Sequence, residues 1–217
     1  FYLLIVTHNV THIFGETNKE WKKIKDRFIV NTIELPENMA IDLMGQALRK
    51  NEDPMIMADW RDVVDSLSER TVSSRRVVED EMKRKKTPIT DEELEAILPI
   101  QPYTALMLKY ISSAFNSNQR SMFDFIKNSN DDDVKGCQYF IDHYGPFDDK
   151  PLLTIDQLWN FFYEKGKDYL SPEIRSILDC YNKVETSRLM ENHKRVFKAI
   201  LLLQAISEQT GNAVDLF

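Results

Sequence analysis

Pro102-Tyr-Thr-Ala-Leu-Met-Leu-Lys-Tyr-Ile-Ser-Ser-Ala114, continued by Phe115-Asn-Ser-Asn-Gln-Arg-Ser-Met-Phe-Asp-Phe-Ile-Lys127, is the stretch on which the fold reading turns. Tyr103, Leu106, Met107, Tyr110, Ile111 and Ala114 recur at helical spacing, the cleanest amphipathic pattern in the chain. Asn116 to Asn118 reads as a turn. A second helix, Gln119 to Lys127, is expected to bury Met122, Phe123 and Ile126 against Tyr110, Ile111 and Ala114 of the first.

Working towards the C-terminus, Thr154-x-x-Gln157 is a capping box ahead of Leu158, Trp159 and Phe162. Ser171-Pro172 opens another helix, with Ile174, Ile177, Leu178, Tyr181 and Val184 inward. The last helix, roughly 193–209, is apolar almost all round from Ala199 to Ile206, so neighbours are expected on every side of it. Asn128 to Asp133 and Gly145-Pro146 with Asp148-Asp149 read as polar turns.

Towards the N-terminus, residues 51–86 are helical and highly charged. Trp60, Val63, Val64 and Leu67 form one stripe and Val77, Val78 and Met82 another, and Thr71 to Ser74 offers a break between them. Pro88 ends this segment, and Thr90-x-x-Glu93 caps a short helix through Leu98. Before it, Ala40, Leu43, Met44, Ala47 and Leu48 line one helical face that begins at Pro36. Phe1-Tyr-Leu-Leu-Ile-Val-Thr7 reads as a strand buried on both faces, and 28–35 as a second short strand. The fold class expected is therefore mainly α: a helical, lid-like bundle with a short β element of one or two strands near the N-terminus.

Composition agrees. A chain of 217 residues with 42% hydrophobic side chains fits one domain, or one domain and a satellite, and six glycines are too few for an all-β barrel. A net charge of −7 argues against a general nucleic-acid-binding surface. Lys83 to Lys86 reads first as a solvated helix end and second as a local nucleic-acid contact. No apolar run is long enough to span a membrane. The start at Phe1, inside an apolar run with no basic flank, is unlike a secretory signal and suggests a piece of a larger protein. Cys137 and Cys180 form no paired motif, and reduced thiols in a cytoplasmic protein are expected.

Chemistry-bearing motifs are few. His8, His12 and Glu16 share a helical spacing, but Asn9 breaks the zinc-protease pattern and Gly15 favours a loop, so no metal site is expected. Asp131 to Asp133 lacks the alternate spacing and glycine of a calcium loop. No nucleophile elbow and no phosphate-cradling glycine loop are present.

More informative is an ordered series. A buried strand ends in Thr7-His8-Asn9, a helix capped by Thr17-x-x-Glu20 leads to Asp26-Arg27-Phe28, a strand ends at Leu35-Pro36, and a helix follows. This series resembles the last part of an AAA+ ATPase core, where a strand ending in a polar sensor is followed by a Gly-Arg-Phe element, a proline and the first lid helix. Asp26 stands where that family has glycine. Ser117-Asn-Gln-Arg120-Ser-Met-Phe-Asp-Phe-Ile126 resembles the lid motif of origin-recognition and clamp-loader relatives, whose arginine is the second sensor; Ser117 and Asn118 replace its Gly and Asp. The arrangement from Pro102 to Phe125 is also similar to that of large bacterial ATP-binding proteins, some associated with phage-defence loci.

The resemblance implies three regions. Residues 1–50 would hold the end of a nucleotide-binding α/β core and the first lid helix, 51–101 a charged helical insertion, and 102–217 the lid or bundle. It implies Thr7 and Asn9 at the nucleotide, Arg27 and Arg120 as catalytic arginines at the phosphates, and ATP with Mg as cofactor of the full-length protein, with none expected in this piece alone. The partners implied are the remaining ATPase core and, through Arg27, a neighbouring subunit of an oligomer. The rival expectation is an all-helical protein-interaction module with no nucleotide role.

Overall fold

The central element is the Pro102–Ala114 helix, here α4, in a computed structural model that describes residues 38–48, 50–114, 122–127 and 133–210. The chain divides at Leu35–Pro36 into two units, and all described residues belong to the second. The two expected N-terminal strands, the expected Thr17 capping box and residues 119–121 of the helix expected over 119–127 lie outside the described residues.

The described residues form nine α-helices and are mainly helical, as the periodicity predicts. In chain order these are α1 (Met39–Ala47), α2 (Pro54–Arg84), α3 (Asp91–Ala96), α4, α5 (Met122–Lys127), α6 (Cys137–His143), α7 (Pro172–Leu178), α8 (Cys180–Lys183) and α9 (Glu191–Thr210). Between α6 and α7 run a 3-10 turn (Ile155–Gln157), a π-helical turn (Asn160–Glu164) and a second 3-10 turn (Lys167–Tyr169). The only isolated β-bridge among the described residues pairs Ile100 with Leu153 in parallel, through Gln101 N to Leu153 O and Leu153 N to Pro99 O.

Local chemistry sets the helix ends. Asp53 accepts a hydrogen bond from Met55 N at 2.9 Å, and Pro54 occupies the first turn, where its missing N–H costs nothing. The two expected capping boxes that fall within the described residues form: Thr90 with Glu93, and Thr154 with Gln157. Ser171 caps α7 through Ile174 N. At the far end of α2, Lys86 takes a left-handed backbone (φ 59°), which stops the helix before Pro88.

Three expectations are corrected by packing. First, α2 runs unbroken through Thr71 to Ser74. Thr71 and Ser74 join Val63, Leu67, Val78 and Met82 on one buried stripe. Their hydroxyls donate to Ser68 O and Thr71 O, so each polar group is satisfied inside the helix and no break is needed.

Second, the helix with neighbours on nearly every side is α4, not α9. Thr104 to Leu108 and Ile111 are buried, and α4 touches α1, α2, α5 and α9. The run Ala105-Leu-Met-Leu108 gives it apolar side chains on several faces, so one-sided burial would leave some of them wet. On α9, Leu201, Leu202, Leu203, Ala205 and Ile206 are buried, whereas Val196 and Ile200 are 59% and 46% exposed.

Third, α5 turns Phe125 inward and Phe123 outward. Met122 and Ile126 are buried as expected, but Phe123 is 39% exposed and Phe125 only 1%. Besides α4, α5 packs against α1 and α6. Phe125 meets Phe161 edge-on at 5.3 Å and stacks over Phe162 at 6.0 Å, which draws that position inward.

One continuous core runs from Ile41 to Ile206, with a small satellite of Val63, Leu67, Leu98 and Leu152 under Trp60. The basic end of α2 is paired with carboxylates of the same helix. Lys83 meets Glu79, Arg84 meets Glu81, and Lys85 meets Glu81 while donating to the Tyr110 hydroxyl.

Candidate functional site

Thr7, Asn9, Arg27 and Arg120, the residues that the sequence nominates, all lie outside the described residues, as do His8, His12 and Glu16. Within the described unit a concavity stands elsewhere, between α5, α6 and the π-helical turn. It has a volume of about 180 Å³. Phe125, Phe140 and Trp159, all buried, contribute to its wall, and Tyr139 and Tyr144 are its half-exposed rings.

The π-helical turn builds one side. Its defining bond runs from Lys165 N to Asn160 O at 2.9 Å, the i to i+5 spacing. A wider turn of this kind rotates the following side chains relative to an α-helix, and such turns recur at functional sites. Here it lets Trp159 and Asn160 both line the cavity while Phe161, Phe162 and Tyr163 enter the core. Asn160 then reaches back: its Oδ1 accepts from Lys135 N at 2.8 Å, and its Nδ2 donates to Glu164 Oε2 at 2.8 Å. With the Lys165–Asp133 ion pair, this staples the segment 133–136 to the turn and holds Lys135 at the cavity.

Charges around the cavity are mostly matched. Asp156 pairs with Arg195 at 2.8 Å, and Glu164 with Lys198 at 3.5 Å. Lys198 also lies 5.7 Å from the centre of the Trp159 ring and 5.4 Å from that of Tyr181. Lys135 sits 5.1 Å from the centre of the Tyr139 ring, with no carboxylate at ion-pair distance among the described residues.

Behind the turn lies a polar network. Asp179 Oδ1 accepts from the Tyr163 hydroxyl and from Lys167 Nζ, each at 2.5 Å, and Asn182 Nδ2 donates to the Tyr163 oxygen at 2.9 Å. The bonds from Lys167 and Tyr163 hold the Asp179 carboxyl below its ordinary value. The bond to Asp179 raises the Lys167 ammonium, and burial, then Asp179, raises the Tyr163 phenol. A lowered Asp179 stabilises the fold above the unfolded value of about 3.9, and this is lost as pH falls through the depressed folded value. Raised Lys167 and Tyr163 stabilise fully below their ordinary values of about 10, and this is lost as pH rises through the raised ones. Thermal unfolding against pH is expected to show a shallower acid limb for Asp179→Asn than for the parent chain. An equally steep acid limb would show that Asp179 carries no pH-linked stability.

Lys50 and Cys137 are strongly perturbed by burial. Lys50 is pushed down to about 8, and its Nζ donates to Leu98 O at 2.6 Å while facing the Trp60 ring. The buried Cys137 thiol is pushed up to about 12, which makes it a packing group rather than a nucleophile. Cys137 and Cys180 are both free thiols. No group of three or more His, Cys, Asp or Glu among the described residues is placed to hold a metal. No helix of the described residues is long and apolar enough to cross a membrane.

The sequence places Leu158, Trp159 and Phe162 on one helix after the Thr154–Gln157 box, where the structure has a 3-10 turn and then a π-helical turn, and Tyr139, Phe140 and Tyr144 carry no motif. The π-turn, and hence the cavity, follows from long-range packing. No family model, no curated protein and no solved structure matches the chain.

Proposed function

We propose that this chain is the sensor and lid region of an AAA+-like, nucleotide-dependent ATPase that works with ATP and Mg. The observation that carries the reading is the division of the chain at Leu35–Pro36. That is the junction at which the resemblance passes from nucleotide-binding core to helical lid, and the described residues beyond it are mainly helical. A second support is α5, which begins two residues after Arg120 and is anchored by buried Met122, Phe125 and Ile126.

In this reading Thr7 and Asn9 orient the nucleotide and attacking water, and Arg27 and Arg120 supply positive charge at the phosphates. An arginine suits that task because its fork of donors stays charged and planar. Arg27 serves this chain's nucleotide or that of a neighbouring subunit, and the remaining ATPase core is the principal partner. The free thiols support a cytoplasmic setting. The likeness to large bacterial ATP-binding proteins makes a phage-defence role the corresponding proposal for the pathway.

The test is ATP turnover by the protein that joins this chain to a P-loop core. Arg120→Ala is expected to lower kcat by about tenfold or more, with thermal unfolding nearly unchanged. The chain on its own is expected to show no hydrolysis. Unchanged turnover in Arg120→Ala, or hydrolysis by this chain alone, would overturn the reading.

The exposed Val196 and Ile200 favour a second reading, an all-helical protein-interaction module without a nucleotide role. Val196 also lines, with Ile155 and Ala199, an open groove of about 490 Å³. The same hydrolysis assay separates the two readings, since an interaction module leaves turnover indifferent to Arg120.

A further inference from the structure

The aromatic cavity between α5, α6 and the π-helical turn has no part in the ATPase reading, and its chemistry can be taken on its own. We propose that it binds a small planar aromatic anion, a single ring bearing one carboxylate, with Lys135 as the residue that pairs with the charge.

Size sets the first limit. A cavity of about 150 Å³ is enough to admit benzene, so the roughly 180 Å³ here takes one six-membered ring with a small substituent. Shape and surface set the second. A ring entering the cavity meets the half-exposed rings of Tyr139 and Tyr144, which already stack on His143 and Phe140, with the buried Phe125, Phe140 and Trp159 closing the wall.

Charge sets the third limit. Asp156 is neutralised by Arg195 and Glu164 by Lys198. Among the described residues Lys135 is left as the surplus charge on the lining, placed against the Tyr139 ring. An anion completes that pairing, whereas a cation would face Lys135 and Lys198 together. A neutral ring would stack without satisfying the ammonium.

The segment that carries Lys135 is also held in place. Asn160 Oδ1 takes the Lys135 amide, and the Asp133–Lys165 pair fixes the residue two positions before it. Asn160 is thus a positioning residue: it fixes the backbone from which the Lys135 ammonium reaches, and its own amide is already occupied by Glu164.

The experiment is a titration of the full chain with benzoate, followed by amide NMR shifts. Saturable shifts are expected at Gly136 and at the Asn160 side-chain amide. Lys135→Ala is expected to weaken benzoate binding by at least about tenfold, the usual scale of a charge-assisted pair, and Lys135→Arg to retain it. Lys86→Ala, an exposed lysine on another element, is the control and should bind as the parent does. Benzamide, the same ring without charge, should bind at least about tenfold more weakly than benzoate. The absence of saturable shifts at Gly136 and Asn160, equal affinity in a folded Lys135→Ala chain, or binding of benzamide or benzamidine as tight as benzoate would each overturn the proposal.

Discussion

Phe125→Ala is expected to lower the stability of the described unit by about 3–5 kcal/mol, while Phe123→Ala, two residues away, should cost less than about 1 kcal/mol. Phe125 is 1% exposed and lies against both Phe161 and Phe162, whereas Phe123 is 39% exposed. Truncating Phe125 removes the apolar transfer term and leaves a void at the joint of α5 with the π-helical turn. Neighbours on several elements cannot all move inward to fill it, so the cavity term adds to the transfer term. Against a typical domain stability of about 5–15 kcal/mol, that loss is a large share. Urea unfolding of the two variants measures the contrast, with the midpoint shifting and the slope retained. Equal losses at the two positions would mean that α5 is rotated relative to the packing described here.

The second large effect is expected at Gly166, just after the π-helical turn. A Cβ built there would lie 2.4 Å from Phe162 O, 2.9 Å from Phe162 C and 3.0 Å from Phe161 O. These are backbone atoms of the turn itself, so no flexible side chain can swing away. The φ of −105° is open to any residue, and the need for glycine is therefore steric rather than conformational. Gly166→Ala should cost about 2–3 kcal/mol by forcing the turn apart. For a domain of this size that corresponds to a fall in Tm of roughly 2–4 °C per kcal/mol. Gly45 offers the milder comparison. Its added Cβ would meet the Ala96 Cβ at 2.9 Å, one side-chain atom between α1 and α3 rather than three backbone atoms. If Gly166→Ala unfolds at the parent temperature, the close approach of the turn to Gly166 is wrong.

These two positions also show where sequence reading stops. The residues that decided Thr90, Thr154 and Ser171 as helix starts sit within three positions of the groups they satisfy, so each cap is complete in the local chain. The mainly helical class follows in the same way, from apolar spacing that any isolated segment displays. The chain read alone therefore determined the helical class, the places where these helices begin and the polar turn at Gly145, where the amide bonds Asp148 Oδ2 at 2.7 Å. It also nominated Thr7, Asn9, Arg27 and Arg120, by their order rather than by any packing.

What only the tertiary structure decided is which of several apolar faces goes inward. Phe123 and Phe125 have the same composition and nearly the same neighbours in sequence. Phe161 and Phe162, far along the chain, select between them. Similarly, α4 became the hub because four helices touch it, whereas among the described residues Val196 and Ile200 of α9 stay exposed. The π-helical turn, the cavity and the placement of Lys135 depend on those same distant contacts. Capping is satisfied by hydrogen bonds a few residues long, but burial is a contest among all apolar surfaces of the chain, and its outcome is set by the elements that arrive from elsewhere.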